Sequence, residues 1–238
     1  MDKRLVLVDT HVNPDIRRDY LAPDVSIYAA DNTPEHDTTD FSKMELFIEL
    51  KRAETSDPFQ DPEDPLQPKI NDFRFERNTH EAHLVRGQLS SYGAAHLGSQ
   101  FRVHAFTVFI CGKCARFIRW DRSGATVTRR FNHIDQPDIL ACFFWHYAHL
   151  GPLQRGYDTS VLPAPPADPL DDDSERRLRD KNPGHRQFRS IMVPDRDNPK
   201  AETTLSYHFL RGIPLAHPLH EPPDRCWRSI RRPETSFF

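Results

Sequence analysis

Residues 106–131 read FTVFICGKCARFIRWDRSGATVTRRF, and the fold is decided here. From about residue 105 to Cys111 the chain is an almost unbroken apolar and β-branched run. Gly112-Lys113 then closes a tight hairpin, and Asp121-Arg122-Ser123-Gly124 turns the chain again. Three consecutive β-strands are predicted. The hairpin sets Cys111 and Cys114 on either side of its turn. A structural zinc site takes four ligands, typically as two such pairs. Cys142 and Cys226 are single and distant in sequence, so the two thiols read as small buried strand residues.

On the C-terminal side of this stretch a helix is expected, with Asp135 as cap and Pro137 in the first turn. Ile139, Leu140, Phe143, Phe144, Tyr147 and Leu150 form its broad buried stripe, and Gly151 stops it. His146 and His149 read as surface or packing histidines, because no acidic or thiol partner stands near them in sequence. On the N-terminal side a helix runs from an Asp72 cap to about Leu97, with Val85, Leu89, Tyr92 and His96 at four-, three- and four-residue intervals. Gly87 and Gly93 each weaken it by about 1 kcal/mol relative to Ala, so tertiary packing has to hold it. The Asp- and Pro-rich segment 53–72 ahead of it reads as a loop.

Further upstream, Asp24–Ala30 and Met44–Lys51 are strand-like and separated by the polar loop 31–40. Folded about residue 37, this hairpin sets Asp24 opposite Leu50. Glu49 and Lys51, two apart on a strand, share a face. Two carboxylates and an amine then converge at one end of the hairpin. Asp24 and Glu49 suit a hard divalent cation such as Mg²⁺, with Lys51 orienting or activating a water against a phosphodiester. The alternative is a solvated strand-end ion pair between Glu49 and Lys51.

Composition sets the frame. The chain has 238 residues, of which 37% are hydrophobic, and 21 prolines. A low apolar and high proline content predicts a compact part and a loosely structured part. Net charge is −3 but uneven: residues 1–80 hold 18 acidic and 10 basic side chains, residues 81–160 hold 5 and 9. The basic middle contains Arg116, Arg119, Arg122, Arg129 and Arg130, candidate phosphate contacts or a solvated hairpin face. Four cysteines fit a reducing compartment. With no apolar run near 18 residues and no signal-like start, the expectation is no membrane and an intracellular, cytoplasmic or nuclear, location.

Pro23-Asp24 on one strand and Glu49-Leu50-Lys51 on the next resemble the restriction-endonuclease-like superfamily, whose signature is Pro-Asp followed by (Asp/Glu)-x-Lys. Its recombination-nuclease relatives add Gln-xxx-Tyr on the following helix, and this chain has Gln88 and Tyr92 at that spacing, on one helix face. The resemblance implies metal ligands Asp24 and Glu49, a catalytic Lys51 with Gln88 and Tyr92, and Mg as cofactor. The strand, strand, helix, strand order agrees.

A second resemblance rests on Asp24-Val25-Ser26-Ile27-Tyr28, Phe41–Lys51, Gly87-Gln88-Leu89, Tyr92, Phe106–Ala125, Phe143-Phe144-Trp145 and Arg155-Gly156-Tyr157-Asp158. These resemble the region that precedes the kinase lobes in the fungal-type protein kinase family, closely over residues 22–160 and more loosely over 186–230. The segments Gln187–Val193 and Thr203–Leu210 resemble the opening strands of that family's kinase domain. Val-Ala-Ile-Lys, His-Arg-Asp and Asp-Phe-Gly elements are absent, and residues 213–238 contain no glycine, so neither an ATP site nor phosphoryl transfer is expected.

The expected fold is α+β or α/β: a restriction-endonuclease-like mixed sheet of about five strands with two main helices over residues 1–151, a Pro-rich linker over 152–185 and a partial β-hairpin extension, the incomplete start of a kinase-like lobe, over 186–238. The expected function is a non-catalytic N-terminal module or truncated member of the kinase family, bound to kinase lobes in cis or to another protein. A decayed product with no activity is a third possibility. The alternative is a Mg-dependent nuclease, with nucleic acid as its partner.

Overall fold

The computed structural model describes residues 4–62 and 73–163, together with three short strands further on. The strands are β1 (Leu5–Asp9), β2 (Val25–Ala29), β3 (Met44–Lys51), β4 (His104–Cys111), β5 (Cys114–Asp121), β6 (Gly124–Val127), β7 (Phe131–Asn132), β8 (Val161–Pro163), β9 (Phe188–Ile191), β10 (Phe209–Leu210) and β11 (Trp227–Ser229). The helices are α1 (His80–Ser99) and α2 (Pro137–His149).

Eight strands form one sheet in the order β1-β2-β3-β4-β5-β6-β11, with β7 pairing beside β5. β3 and β4 run parallel, as do β6 and β11, and the other neighbours are antiparallel. Parallel neighbours need a crossover. α1 supplies the one between β3 and β4. The fold is therefore an α+β mixed sheet with two helices, as expected, but with more strands than the five anticipated. Of the segments 187–193 and 203–210 expected to pair, Phe188 and Arg189 of β9 pair antiparallel with Leu210 and Phe209 of β10, and β8 adds a third strand, while residues 192–208 lie outside the described residues. Among the described residues no helix is long and apolar enough to cross a membrane.

The strands' two-residue period divides the core between the sheet's faces. On one face Phe47, Phe109, Ile118, Trp120 and Val127 pack under Val85, Leu89 and Tyr92 of α1. On the other, Ile27, Leu46, Ile48 and Val108 pack with Tyr147, Phe143 and Phe144 of α2. A helix thus covers each face. The α2 stripe is less deeply covered than its sequence suggests. Only Tyr147 is fully buried, while Leu140, Phe143 and Phe144 are half-buried, Phe143 stacking on Phe117 with ring centroids 4.2 Å apart. Gln136, rather than Asp135, precedes its first turn, because the Asp135 carboxylate accepts from the Asn132 side-chain amide at 2.6 Å.

α1 starts later than expected. Asp72 lies outside the described residues, and the helix is capped by Thr79, whose hydroxyl accepts the Ala82 N–H at 3.2 Å. Residues 73–77 are drawn away from helix by the loop they pair with. Phe75 stacks on Phe59 at 5.0 Å, and the Gln60 N–H donates to the Phe75 carbonyl at 2.7 Å.

Between Ile27 and Tyr28 the β2–β3 register shifts, and Glu45 is the extra residue. A bulge of this kind re-aims a side chain. Here it turns Glu45 into a buried cluster with Arg102 Nη2 at 3.3 Å, Arg155 Nη1 at 3.4 Å and the donating hydroxyls of Tyr147 and Tyr157 at 3.2 and 3.0 Å. Residues 152–158, the expected start of the linker, are thereby fastened to the core, with Arg155 buried and Tyr157 bridged to Arg102.

Gly93 shows how closely α1 sits on the sheet: a Cβ there would stand 2.6–2.9 Å from the Trp120 indole. A Cβ at Gly87 would meet nothing within 4 Å. Gly93→Ala is therefore expected to destabilise the fold by about 1–3 kcal/mol, whereas Gly87→Ala gains up to ~1 kcal/mol from helix propensity. Urea unfolding of the two variants checks both signs.

Candidate functional site

β2 and β3 meet with Val25 opposite Ile48 and Ser26 opposite Phe47. Continuing that ladder by one residue sets Asp24 opposite Glu49, not Leu50. The ladder next to the loop is centred on residue 36 rather than 37, and the bulge at Glu45 recovers only half of that offset. The correction brings the two carboxylates closer in register than the symmetric hairpin would. Asp24 is fixed from both sides: its Oδ2 accepts the Leu50 N–H at 2.7 Å, and its carbonyl accepts the Thr10 N–H at 3.1 Å.

Glu49 and Lys51 share the face that α1 covers. The Lys51 ammonium donates to Glu49 Oε1 at 2.6 Å, with the Lys51 side chain 25% exposed and that of Glu49 only 1%. Glu49 Oε2 is buried and has no hydrogen-bond partner. A buried carboxylate oxygen left unpaired is costly and needs a reason. Burial pushes the Glu49 carboxyl up to about 7, the Lys51 ammonium opposing that shift and the Asp24 charge adding to it.

α1 closes over these groups. Tyr92 packs edge-on against Phe47 at 5.6 Å, donates its hydroxyl to the Ala22 carbonyl at 2.8 Å and accepts from the Gln88 amide at 3.0 Å. Its phenol is raised by burial, and the charges of Glu49 and Asp24 push the same way. All five residues singled out from the sequence, Asp24, Glu49, Lys51, Gln88 and Tyr92, are therefore gathered around one end of β2 and β3. Sequence reasoning missed a neighbour. His11 just past β1 pairs with Asp9 at 2.5 Å and lies within reach of the Asp24 charge. No spacing motif marks it, since only the β1–β2 ladder brings it there.

The donor set is small. Among the described residues no group of three His, Cys, Asp or Glu is placed to hold a metal ion. Two carboxylates nevertheless suffice for Mg²⁺, which keeps several waters and takes further oxygens from substrate phosphate. The orphaned Glu49 Oε2 is the observation that fits a cation here.

The arginines do not join this site as a set. Arg116, 1% exposed, is held by Asp57 at 2.7 Å and Asp61 at 2.9 Å, and so is a structural ion pair rather than a phosphate contact. β5 leaves the Lys51 end of the sheet at Cys114 and reaches Arg119 and Asp121 roughly 20 Å away, at about 3.3 Å per residue. Arg119, paired with Asp121 at 2.9 Å, and the exposed Arg122 are therefore at the far end. Arg129 donates to the Pro62 carbonyl at 3.3 Å, whereas Arg130 is exposed and lies beside Cys114, at the near end. His146 is half-buried and His149 exposed on α2, the latter bonded to the Trp145 carbonyl, consistent with packing roles.

No family model, curated protein or solved structure matches the chain.

Two outcomes follow from this geometry. A glutamate whose folded pKa is raised from 4.5 to about 7 contributes stability that is fully present below about pH 4.5 and lost as pH rises to about 7. Over that window the loss is about 3 kcal/mol. Glu49→Gln carries no titrating proton and is expected to lack that loss, so the stability difference between variant and wild type grows in the variant's favour from pH 4.5 to pH 7.5 when followed by denaturant unfolding. Arg116→Met, which strands the buried Asp57, is expected to cost about 3–5 kcal/mol, seen as a fall in the urea midpoint.

Proposed function

We propose that this chain carries a restriction-endonuclease-like module that holds a divalent cation between Asp24 and Glu49 and hydrolyses phosphodiesters. The reading rests on the buried, unpartnered Oε2 of Glu49 beside a second carboxylate. A bound Mg²⁺ supplies charge stabilisation at a phosphate oxygen and a water of lowered pKa. Lys51 touches Glu49 and is a quarter exposed, so it faces the carboxylate and the solvent together. From there it orients an attacking water or neutralises charge growing on phosphate. Tyr92 and Gln88 act by position: the phenol pins the Ala22 carbonyl, two residues before Asp24, against α1. Of the five arginines, Arg130 is the one both exposed and near the Lys51 end, where it pairs loosely with Asp61 at 3.8 Å, and it is the candidate to meet a nucleic-acid backbone. The strand, strand, helix, strand order with a parallel β3–β4 pair supports the same reading.

A second reading is supported by the β9–β10 ladder at the segments that resemble the opening strands of the fungal-type kinase domain. In it the module is non-catalytic and binds kinase lobes in cis or another protein. The linker expected over residues 152–185 would then begin after the fastened segment 152–158, and its residues 164–185 lie outside the described residues.

Cleavage assays separate the two. Wild type, Glu49→Ala and Lys51→Ala are incubated with single- and double-stranded DNA and with RNA, in Mg²⁺ or Mn²⁺. The nuclease reading expects cleavage that falls by roughly 100-fold or more in Glu49→Ala, because cation stabilisation is worth several kcal/mol and each 1.4 kcal/mol is about tenfold. Equal absence of cleavage by all three proteins sinks the nuclease and leaves the binding module.

A further inference from the structure

The β4–β5 hairpin brings its two thiols together in a way that strand packing does not require. Cys111 and Cys114 are direct register partners, closing the two-residue turn at Gly112-Lys113. Gly112 takes φ +56°, which that turn demands and which side chains rarely adopt. Opposed residues that exchange both backbone hydrogen bonds have Cα atoms about 5.5 Å apart. A disulfide spans Cα separations of roughly 4.4–6.8 Å and brings the Cβ atoms to about 3.5–4.5 Å, so an opposed pair with Cβ atoms about 5.5 Å apart has to close by about 1 Å as the bond forms. Cross-strand partners point to the same face of a sheet, and both cysteines here pack against the cluster beneath α1. Cys111 is 1% exposed, while Cys114 is half-buried at the rim beside Glu54, so one thiol is sheltered and the other partly accessible. Cys142 stands exposed on α2, which packs on the opposite face. Cys226 lies outside the described residues.

We propose that Cys111 and Cys114 form a reversible dithiol–disulfide couple, oxidised by a low-molecular-weight disulfide of the glutathione type. The Cys114 thiolate attacks one sulfur of the small disulfide, forming a mixed disulfide and releasing one small thiolate. Cys111 then gives up its proton and attacks the Cys114 sulfur. The protein S–S bond forms as the second small thiolate leaves. Two protein thiols lose two electrons and two protons, and one small disulfide becomes two small thiols. Burial raises both thiols above the ordinary cysteine range, Cys111 to about 12, so the more open Cys114 is the first nucleophile and exchange is slow.

The couple sits beside the last residue of β3. Lys51 is the register partner of Cys111, and the Gly112 N–H donates to the Lys51 carbonyl at 2.9 Å.

The test uses the full chain, equilibrated without denaturant in mixtures of reduced and oxidised glutathione, quenched in acid, alkylated and read by peptide mass spectrometry. The expected result is a peptide spanning Cys111 and Cys114 that loses two hydrogens and escapes alkylation in excess oxidised glutathione, and regains both alkyl groups after reductant. Cys142→Ser is expected to leave that conversion unchanged. In Cys111→Ser, which keeps the half-buried Cys114 thiol, the product should stop at a glutathione adduct on Cys114. Three results overturn the proposal: an adduct on wild-type Cys114 that never closes, pairing of either cysteine with Cys142 or Cys226, or two thiols that react only in urea. Because wild type alone yields these outcomes, a variant that fails to fold does not remove the test.

Discussion

The burial of charge in β3 is the constraint on which the rest of this structure depends. The strand is the middle of a helix–sheet–helix sandwich, covered on both faces, yet it contains two glutamates that are 1% exposed. An ionised carboxylate taken out of water has to be paired or pushed toward its neutral form. The protein treats the two differently. Glu45, displaced by the bulge, is met by two arginines and two tyrosine hydroxyls, and its cluster ties α2 and residues 152–158 to the sheet. Glu49 has one lysine on one oxygen and nothing on the other, with Asp24 opposite. A saturated buried charge holds a fold together. A half-paired one beside a second acid leaves an oxygen without a partner, which is why Glu49 and not Glu45 carries the proposed site.

The same topology that buries Glu49 delivers the groups around it. Because β3 and β4 are parallel, the chain must cross over the sheet between them, and α1 is that crossover. Its close seat on Trp120 at Gly93 sets the height at which Tyr92 reaches Phe47 and the Ala22 carbonyl. The tyrosine then holds the approach to Asp24 from the helix side, while the Leu50 N–H holds its carboxylate from the strand side. Side chains far apart in sequence are aligned by backbone pairing and one helix, with no loop needed to position them.

Much of this was legible because it is local. Strand period and the Gly112-Lys113 turn located β4 and β5, and Pro137 ahead of an apolar stripe located α2. The convergence of Asp24, Glu49 and Lys51 followed from spacing on two strands, whereas Gln88 and Tyr92 joined them only through the restriction-endonuclease-like resemblance. What escaped depends on distant partners. The β2–β3 register is set by a bulge that has no sequence mark, since Glu45 looks like any strand glutamate until Arg102 and Arg155 arrive from residues about 60 and 110 positions away. Arg116 reads as a surface cation in a basic hairpin, and only its pairing with Asp57 and Asp61, from the Pro-rich loop, buries it. The start of α1 was misread because Phe75 stacks on Phe59, an interaction that competes with helix formation and is invisible to periodicity. Buried Arg86, His96 and Ser99 on the covered side of α1 also blur its apolar stripe, each being polar yet enclosed.

If a cation is what completes the Glu49 carboxylate, its position can be seen directly. Diffraction from crystals soaked in Mn²⁺, with data collected at the manganese absorption edge, distinguishes the metal from water and from the lysine ammonium. The account predicts an anomalous peak between the Asp24 carboxylate and Glu49 Oε2. An intact Lys51–Glu49 pair with no peak beside it, or a peak held by other residues, would contradict the account.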